Sequence, residues 1–234
     1  GETPTPAVPT APAPAPAPAP PPAPGAISGR IVFRGPVPPQ TQYTPEAGTI
    51  EAHVPIVDPA TRGMKGAVVS VEGLEGPAPG GPPRVHVFDQ VRFTFVPHVL
   101  AVRSGDEVRF MSSDDANHNV RSADPHNAFN VVTLRGLDVN RTFRPTAGGG
   151  PAELRCDIHG WMKAWVYVFK HPWFAVTDAE GRFRIEGVPP GERTLRVRHA
   201  DGGLEARVPV HVRPGEGAEA VVELGGEGAP GTAR

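Results

Sequence analysis

Seven consecutive residues, Cys156-Asp157-Ile158-His159-Gly160-Trp161-Met162, place a thiol, an imidazole and a thioether on one short loop. Apolar alternating segments flank it on both sides, Ala152-Glu153-Leu154-Arg155 before and Lys163-Ala164-Trp165-Val166-Tyr167-Val168-Phe169 after, so the loop joins two adjacent strands. Upstream, Ser104-Gly105-Asp106-Glu107-Val108-Arg109-Phe110 reads as a turn and a strand. It runs into Asp114-Asp115-Ala116-Asn117-His118-Asn119-Val120, which supplies a second imidazole. Two imidazoles, one thiolate and a weak thioether suit copper: soft sulfur favours Cu(I), and imidazole accommodates both oxidation states.

Each of these residues also has an ordinary structural role open to it. Cys156 at a strand end can be a small buried hydrophobe, Met162 a core residue and His118 a solvated turn residue. Trp161 can shield a metal or cover the end of a sandwich. His98 can approach the metal or be a plain strand residue, and His126 can gate the site or hold a second ion. Met111 is an alternative thioether. His53, His86, His171, His199 and His211 show no ligand spacing, and Asp114 and Asp115 are expected to shape a turn rather than to coordinate.

The order and separation of "GDEVRFMSSDDANHNV" and "CDIHGWM" resemble the cupredoxin family. In that family the first His follows a "GDxVxFxN" strand and is itself followed by Asn, and the other ligands share one late loop. The resemblance implies a Greek-key β-sandwich over 82–171 that holds one copper ion, cycling between Cu(I) and Cu(II). His118, Cys156 and His159 would be the equatorial ligands and Met162 the axial one. Asn119 would pin the His118 loop to the Cys156 loop. One departure stands out. Two residues separate His159 from Met162, where plastocyanin-like sites have three or four. The two-residue gap is that of dinuclear copper A centres, but these need a second bridging cysteine, and this chain has one Cys in all.

The elements that must position such a site are strands. With 31 Pro and 28 Gly in 234 residues, a quarter of the chain is turn-former or helix-breaker, and no stretch of more than ten residues sustains a helical period. Candidate strands are 26–33, 67–72, 84–88, 92–103, 106–111, 117–121, 139–144, 152–156, 163–169, 182–186, 193–199, 205–212 and 218–224. The loop 36–63 is expected to be irregular. Aromatic residues make up 6% and hydrophobic residues 38%, so the core is expected to be small and divided between two compact β-domains.

A second resemblance frames the first. Thr177-Asp178-Ala179-Glu180-Gly181 leads through Arg182-Phe183-Arg184-Ile185 to Gly187-Val188-Pro189-Pro190-Gly191, with Thr194-Leu195-Arg196-Val197 beyond. This is similar to the later half of the carboxypeptidase regulatory-like, or transthyretin-like, β-sandwich. The family's earlier half matches Gly25-Ala26-Ile27-Ser28-Gly29-Arg30-Ile31 and Gly66-Ala67-Val68-Val69-Ser70-Val71, about a hundred residues upstream. The resemblance implies a discontinuous sandwich, 25–76 plus 172–225, with the cupredoxin unit inserted at a hairpin loop, where neither host strand loses its pairing. Two consecutive sandwiches with unrelated ends are the alternative.

Residues 1–24 hold eleven prolines and one charged residue, Glu2, and cannot bury apolar surface. They are expected to be a disordered polyproline II tether, reaching roughly 70 Å at about 3.1 Å per residue. Residues 226–234 are expected to be a flexible tail. Such a leader is common behind a removed signal or a lipid anchor, so a periplasmic or extracellular location is expected, with an anchor possible upstream of residue 1. No apolar run is long enough to span a membrane. A formal charge of -2 removes the usual basis for nucleic-acid binding. No nucleophile triad or phosphate-binding loop stands out, and the protein is expected not to be an enzyme.

The function expected is therefore a mononuclear type 1 copper carrier that passes single electrons to a partner docking over the His159 loop. The main alternative is copper handling or resistance without redox cycling. A catalytic copper site open at one position and a pure adhesion module are further classes.

Overall fold

The computed structural model describes residues 21–74 and 81–225. Residues 1–20 of the Pro/Ala segment and the tail 226–234 lie outside the described residues. Regular structure within the described residues is strand, apart from a 3-10 turn at Ala147–Gly149. The protein is all-β.

The alternation in the sequence decides which face each strand buries. Leu204–Val212 turns Ala206, Val208, Val210 and Val212 inward and Glu205, Arg207 and His211 outward. Pro209 is tolerated there because the strand forms a sheet edge, where a missing N–H need cost no ladder bond. Arg182–Val188 buries Phe183 and Ile185, then slips by one residue at Glu186-Gly187. Gly187 takes a φ of 67°, and the register against Gly25–Phe33 shifts at the same place, as a β-bulge requires.

Two sheets are built from the ends of the chain. Gly25–Phe33 is central in one, antiparallel to Arg182–Val188 and parallel to Gly217–Leu224. The other runs Phe174–Val176, Val68–Glu72, Gly191–His199, Leu204–Val212. Gly29 is required at the crossing with Gly217–Leu224, since a Cβ there would lie 1.8 Å from the carbonyl oxygen of Ala220. The other two large sheets come from the middle of the chain. One runs Val139–Thr142, Glu107–Phe110, Val85–Val91, Thr94–Val96. The second runs Phe129–Thr133, His118–Ser122, Ala152–Arg155, Lys163–Phe169, Val99–Arg103.

The buried side chains divide in the same way. Ile27, Ile31, Val69, Phe183, Leu195 and Val222 belong to one core, and Phe88, Val108, Phe110, Val120, Leu154 and Val166 to another. Lys163–Phe169 explains how the two meet. Val166 and Val168 face the second core, while Tyr167 and Phe169 form a small third cluster with Val68 from the first pair of sheets. Burying an aromatic side chain such as Phe169 contributes about 1.5–3 kcal/mol, so this strand welds the two halves while carrying the Cys156–Met162 loop at its start.

The segment 36–63 is more ordered than expected. Thr41–Thr44 pairs with Gly48–Glu51 as a hairpin, closed by Gly48 at a φ of 70°. Ile56–Val57 pairs with Met64–Lys65 around a turn in which Asp58 Oδ1 accepts from the N–H and the hydroxyl of Thr61, each at 2.7 Å. The expected strand 92–103 is interrupted at Pro97-His98, leaving Thr94–Val96 in one sheet and Val99–Arg103 in the other. Phe129–Thr133 and Phe174–Val176 are strands that the sequence did not signal. Each is short and is defined by its partner, His118–Ser122 and Val68–Glu72 respectively.

Candidate metal centre

Ala152–Arg155 and Lys163–Phe169 are antiparallel neighbours paired as far as Arg155 with Lys163, so the seven residues between must turn back within one loop. The Cys156 N–H donates to the Met162 carbonyl at 3.2 Å, and the Met162 N–H to the His159 carbonyl at 2.9 Å. That closure turns Cys156 and His159 to the same side, and the His159 N–H reaches Cys156 Sγ at 3.4 Å. His118 opens the next strand, His118–Ser122, which pairs with Ala152–Arg155 through Arg121 and Ser122.

His118, Cys156 and His159 therefore converge, with one ligand atom from each within 4.8 Å of the others. His118 Nδ1 and His159 Nδ1 face each other at 3.0 Å, and Cys156 Sγ lies 3.8 Å from the same His159 nitrogen. All three side chains are buried, His118 completely, while His159 is 9% exposed. Met162 is buried in the same core as Cys156, whereas Met111 is half-buried. Burial lowers the His118 pKa, and the neighbouring His159 lowers it further, with Asp114 acting in the opposite sense.

Asn119 lies between the two ligand-bearing segments. Its Oδ1 accepts from the Asp157 N–H at 2.7 Å and from the Cys156 thiol at 3.3 Å. Its Nδ2 donates to Asn130 Oδ1 at 2.8 Å and to Asp157 Oδ2 at 3.0 Å. Asp157 is held below the usual carboxylate range, chiefly by its hydrogen bond with Arg121.

No protein-family model and no curated protein sequence matches the chain. Solved structures with partial likeness include a copper-containing nitrite reductase from Thermus scotoductus SA-01. It is 24% identical over 42% of this chain, with a TM-score of 0.31, and the matched part spans 25% of the reductase chain. A purple cupredoxin from Nitrosopumilus maritimus is 20% identical over 36% of this chain and 98% of its own, with a TM-score of 0.31. A reduced amicyanin variant is 18% identical over 43% of this chain and 98% of its own, with a TM-score of 0.32. At such scores, what this cluster can do is set by its own side chains.

Those side chains fit a metal ion. Two imidazole nitrogens and a thiolate bound to one ion, at about 2.0 Å and 2.3 Å, stand roughly 3.0–3.4 Å (N to N) and 3.5–3.8 Å (N to S) apart. The 3.0 Å between the two nitrogens and the 3.8 Å from His159 Nδ1 to Cys156 Sγ fall at these separations. Two bare Nδ1 atoms do not sit together so closely: either one proton, shared as an N–H···N hydrogen bond, or a cation lies between them.

Phe93, and the contact of Asp114 with His118, have no signal in the sequence. Asp114 shapes its turn as expected, its Oδ1 accepting from the Arg92 N–H and its Oδ2 from the Phe93 N–H, but Oδ2 also accepts from His118 Nε2 at 3.1 Å. Phe93 stands edge-on to both imidazoles, at 5.5 Å from His118 and 5.0 Å from His159 between ring centres. Trp161 packs its ring 5.3 Å from His159 and donates Nε1–H to the Phe93 carbonyl at 3.1 Å. His126 is held outside the cluster by a 2.9 Å contact with the Pro145 carbonyl. His98 joins a different group, with His53 and Asp201, on the wall of a cavity of about 740 Å³ that Trp161, Met162 and Phe93 also line.

Proposed function

We propose that residues 82–171 form a cupredoxin-like unit that holds one copper ion and carries single electrons between exported or envelope redox partners. His118, Cys156 and His159 would be its equatorial ligands and Met162 its axial one. The unit is inserted in a regulatory-like sandwich made by 25–76 plus 172–225, a reading supported by the division of sheets and cores between those two parts. The single observation that carries the copper assignment is the pair of facing Nδ1 atoms beside a buried thiol.

A copper ion held there would supply one-electron exchange between Cu(I) and Cu(II). The surrounding residues favour little rearrangement on that exchange. His118 is orientated by Asp114, and Asn119 ties the Cys156 loop to the neighbouring strand, so the ligands are held from outside their own loop. Phe93 and Trp161 cover the imidazoles and keep water from the ligand atoms. His159 is the most exposed of the four proposed ligands, and Ile158 beside it is 54% exposed. An apolar contact at Ile158 next to the His159 ring suits a redox partner docking over this loop. A buried lone thiol engaged by metal also suits an oxidising, periplasmic or extracellular setting.

Voltammetry of the copper-loaded protein tests this reading. A reversible one-electron wave is expected. A colourless protein that binds Cu(I) alone and gives no wave would assign the chain to copper handling instead.

A further inference from the structure

His53, His98 and Asp201 bring one ligand atom each within 4.8 Å of one another, though no sequence spacing connects them. His53 precedes Ile56–Val57, His98 sits at the break between Thr94–Val96 and Val99–Arg103, and Asp201 follows Gly191–His199. The group thus draws on both halves of the molecule and faces the cavity of about 740 Å³.

Their hydrogen bonds fix which atoms are left for a ligand. His53 Nε2 lies 2.6 Å from the Trp161 carbonyl oxygen, which can only accept, so Nε2 carries the proton and Nδ1 keeps its lone pair. His98 Nε2 lies 2.6 Å from Asp201 Oδ2, so these two atoms share a proton in the metal-free protein, and a cation held by both would replace it. The two rings stack at 5.0 Å with an interplanar angle of 26°. Burial lowers the His53 pKa, which favours the neutral, coordinating imidazole. The Asp201 side chain is 3% exposed, and its Oδ1 accepts from Trp165 Nε1 at 2.9 Å and Lys163 Nζ at 2.8 Å. A backbone carbonyl on Nε2 orients the His53 imidazole in the way that metal-binding histidines are oriented. His199, close by, is already committed, with Nε2 on the Lys65 carbonyl and Nδ1 accepting from the Gly202 N–H.

We propose that His53, His98 and Asp201 form a second metal site, for a divalent cation of the zinc class, where the two sandwiches meet. Two imidazoles and one carboxylate suit zinc and exclude the all-oxygen preference of calcium or magnesium. The site is separate from the His118-Cys156-His159 cluster and does not depend on the copper assignment. Lys163 tunes it: its ammonium shares Asp201 and opposes a cation, so the lysine must yield when metal binds.

The test is equilibrium dialysis of copper-loaded protein against Zn(II), with both metals counted per chain, and in parallel of the Cys156→Ser variant. One zinc per chain is expected in both, so failure of the copper reading leaves this outcome readable. His53→Ala and His98→Ala are each expected to weaken zinc binding at least tenfold. Lys163→Met is expected to tighten it several-fold, and His126→Ala to leave it unchanged. Thermal unfolding checks that each variant is folded. His53 is a half-buried loop residue, so its variant decides the matter if the His98 variant fails to fold. Zinc uptake equal in folded wild type and His53→Ala, or no uptake by either wild type or Lys163→Met, overturns the proposal.

Discussion

Asp114 and His118 are joined through Oδ2 and Nε2 at 3.1 Å, and the same carboxylate holds the turn that covers the imidazole. Arg92 and Phe93, whose N–H groups it accepts, both have left-handed backbone angles, with φ of 49° and 57°. A turn of two non-glycine residues in that region is strained by about 1–3 kcal/mol each. One side chain therefore offsets the strain that brings Phe93 over the site and sets the His118 tautomer, with Nε2 protonated and Nδ1 directed at His159.

Asp114→Ala should consequently act on both fold and metal. Copper affinity is expected to fall about 10–100-fold, as for loss of a group that orients a metal-binding histidine. The metal-free protein is expected to lose about 1–3 kcal/mol of stability through the unsatisfied turn. Competition with a Cu(I) chelator and urea unfolding measure the two effects separately.

Asn119 makes a sharper case, because its two ends do opposite things. Its amide oxygen accepts from Cys156 and Asp157, while its Nδ2 donates to Asp157 and Asn130. Asn119→Asp replaces that donor by a second carboxylate oxygen facing Asp157. At pH 7 the Asp variant is expected to be less stable than Asn119→Ala, and to recover relative to it as acid neutralises the new carboxylate. Urea midpoints for both variants at pH 7 and pH 4.5 check the order.

Acid should weaken the metal-free protein before any carboxylate titrates. Burial is the main cause of the lowered pKa of both His118 and His199. The unfolded chain then binds protons more readily than the folded one near the ordinary histidine pKa of about 6.5, so stability falls with pH. This contribution is fully present above about pH 6.5 and is lost as pH drops toward the lowered folded values. Each extra proton bound by the unfolded state costs about 1.4 kcal/mol per pH unit. Unfolding free energy at pH 5.5 should lie below that at pH 7.5, and a flat profile would contradict the assignment of neutral buried imidazoles.

Backbone packing gives a prediction independent of metal. Gly29→Ala places a Cβ 1.8 Å from the Ala220 carbonyl and should cost about 3 kcal/mol or more. Gly105→Ala meets nothing within 4 Å but must hold a φ of 94°, and about 1 kcal/mol is expected there. Thermal unfolding of the two variants compares the clash with the strain.

The parts of this molecule that a reader of the sequence could see were those written in local pattern. Strict alternation announced Leu204–Val212, and the proximity of Cys156, His159 and Met162 on one loop was plain from their spacing. The convergence of His118 was legible only through resemblance, because strand pairing, not spacing, brings it to His159. What was not legible depended on partners distant in the chain. Phe129–Thr133 is a strand because His118–Ser122 lies beside it. His53 shows no ligand spacing because its neighbours, His98 and Asp201, come from distant segments of the chain. Asp114 was read as a turn residue, correctly but incompletely, since no local signal tells that its second oxygen meets His118.

The most direct measurement is the optical and EPR spectrum of the chain loaded with one equivalent of Cu(II), compared with Cys156→Ser. The account predicts intense visible absorption from thiolate-to-copper charge transfer in the wild type, with one copper per chain, and loss of that absorption in the variant. Copper binding of equal strength and identical spectrum in the two proteins would contradict it.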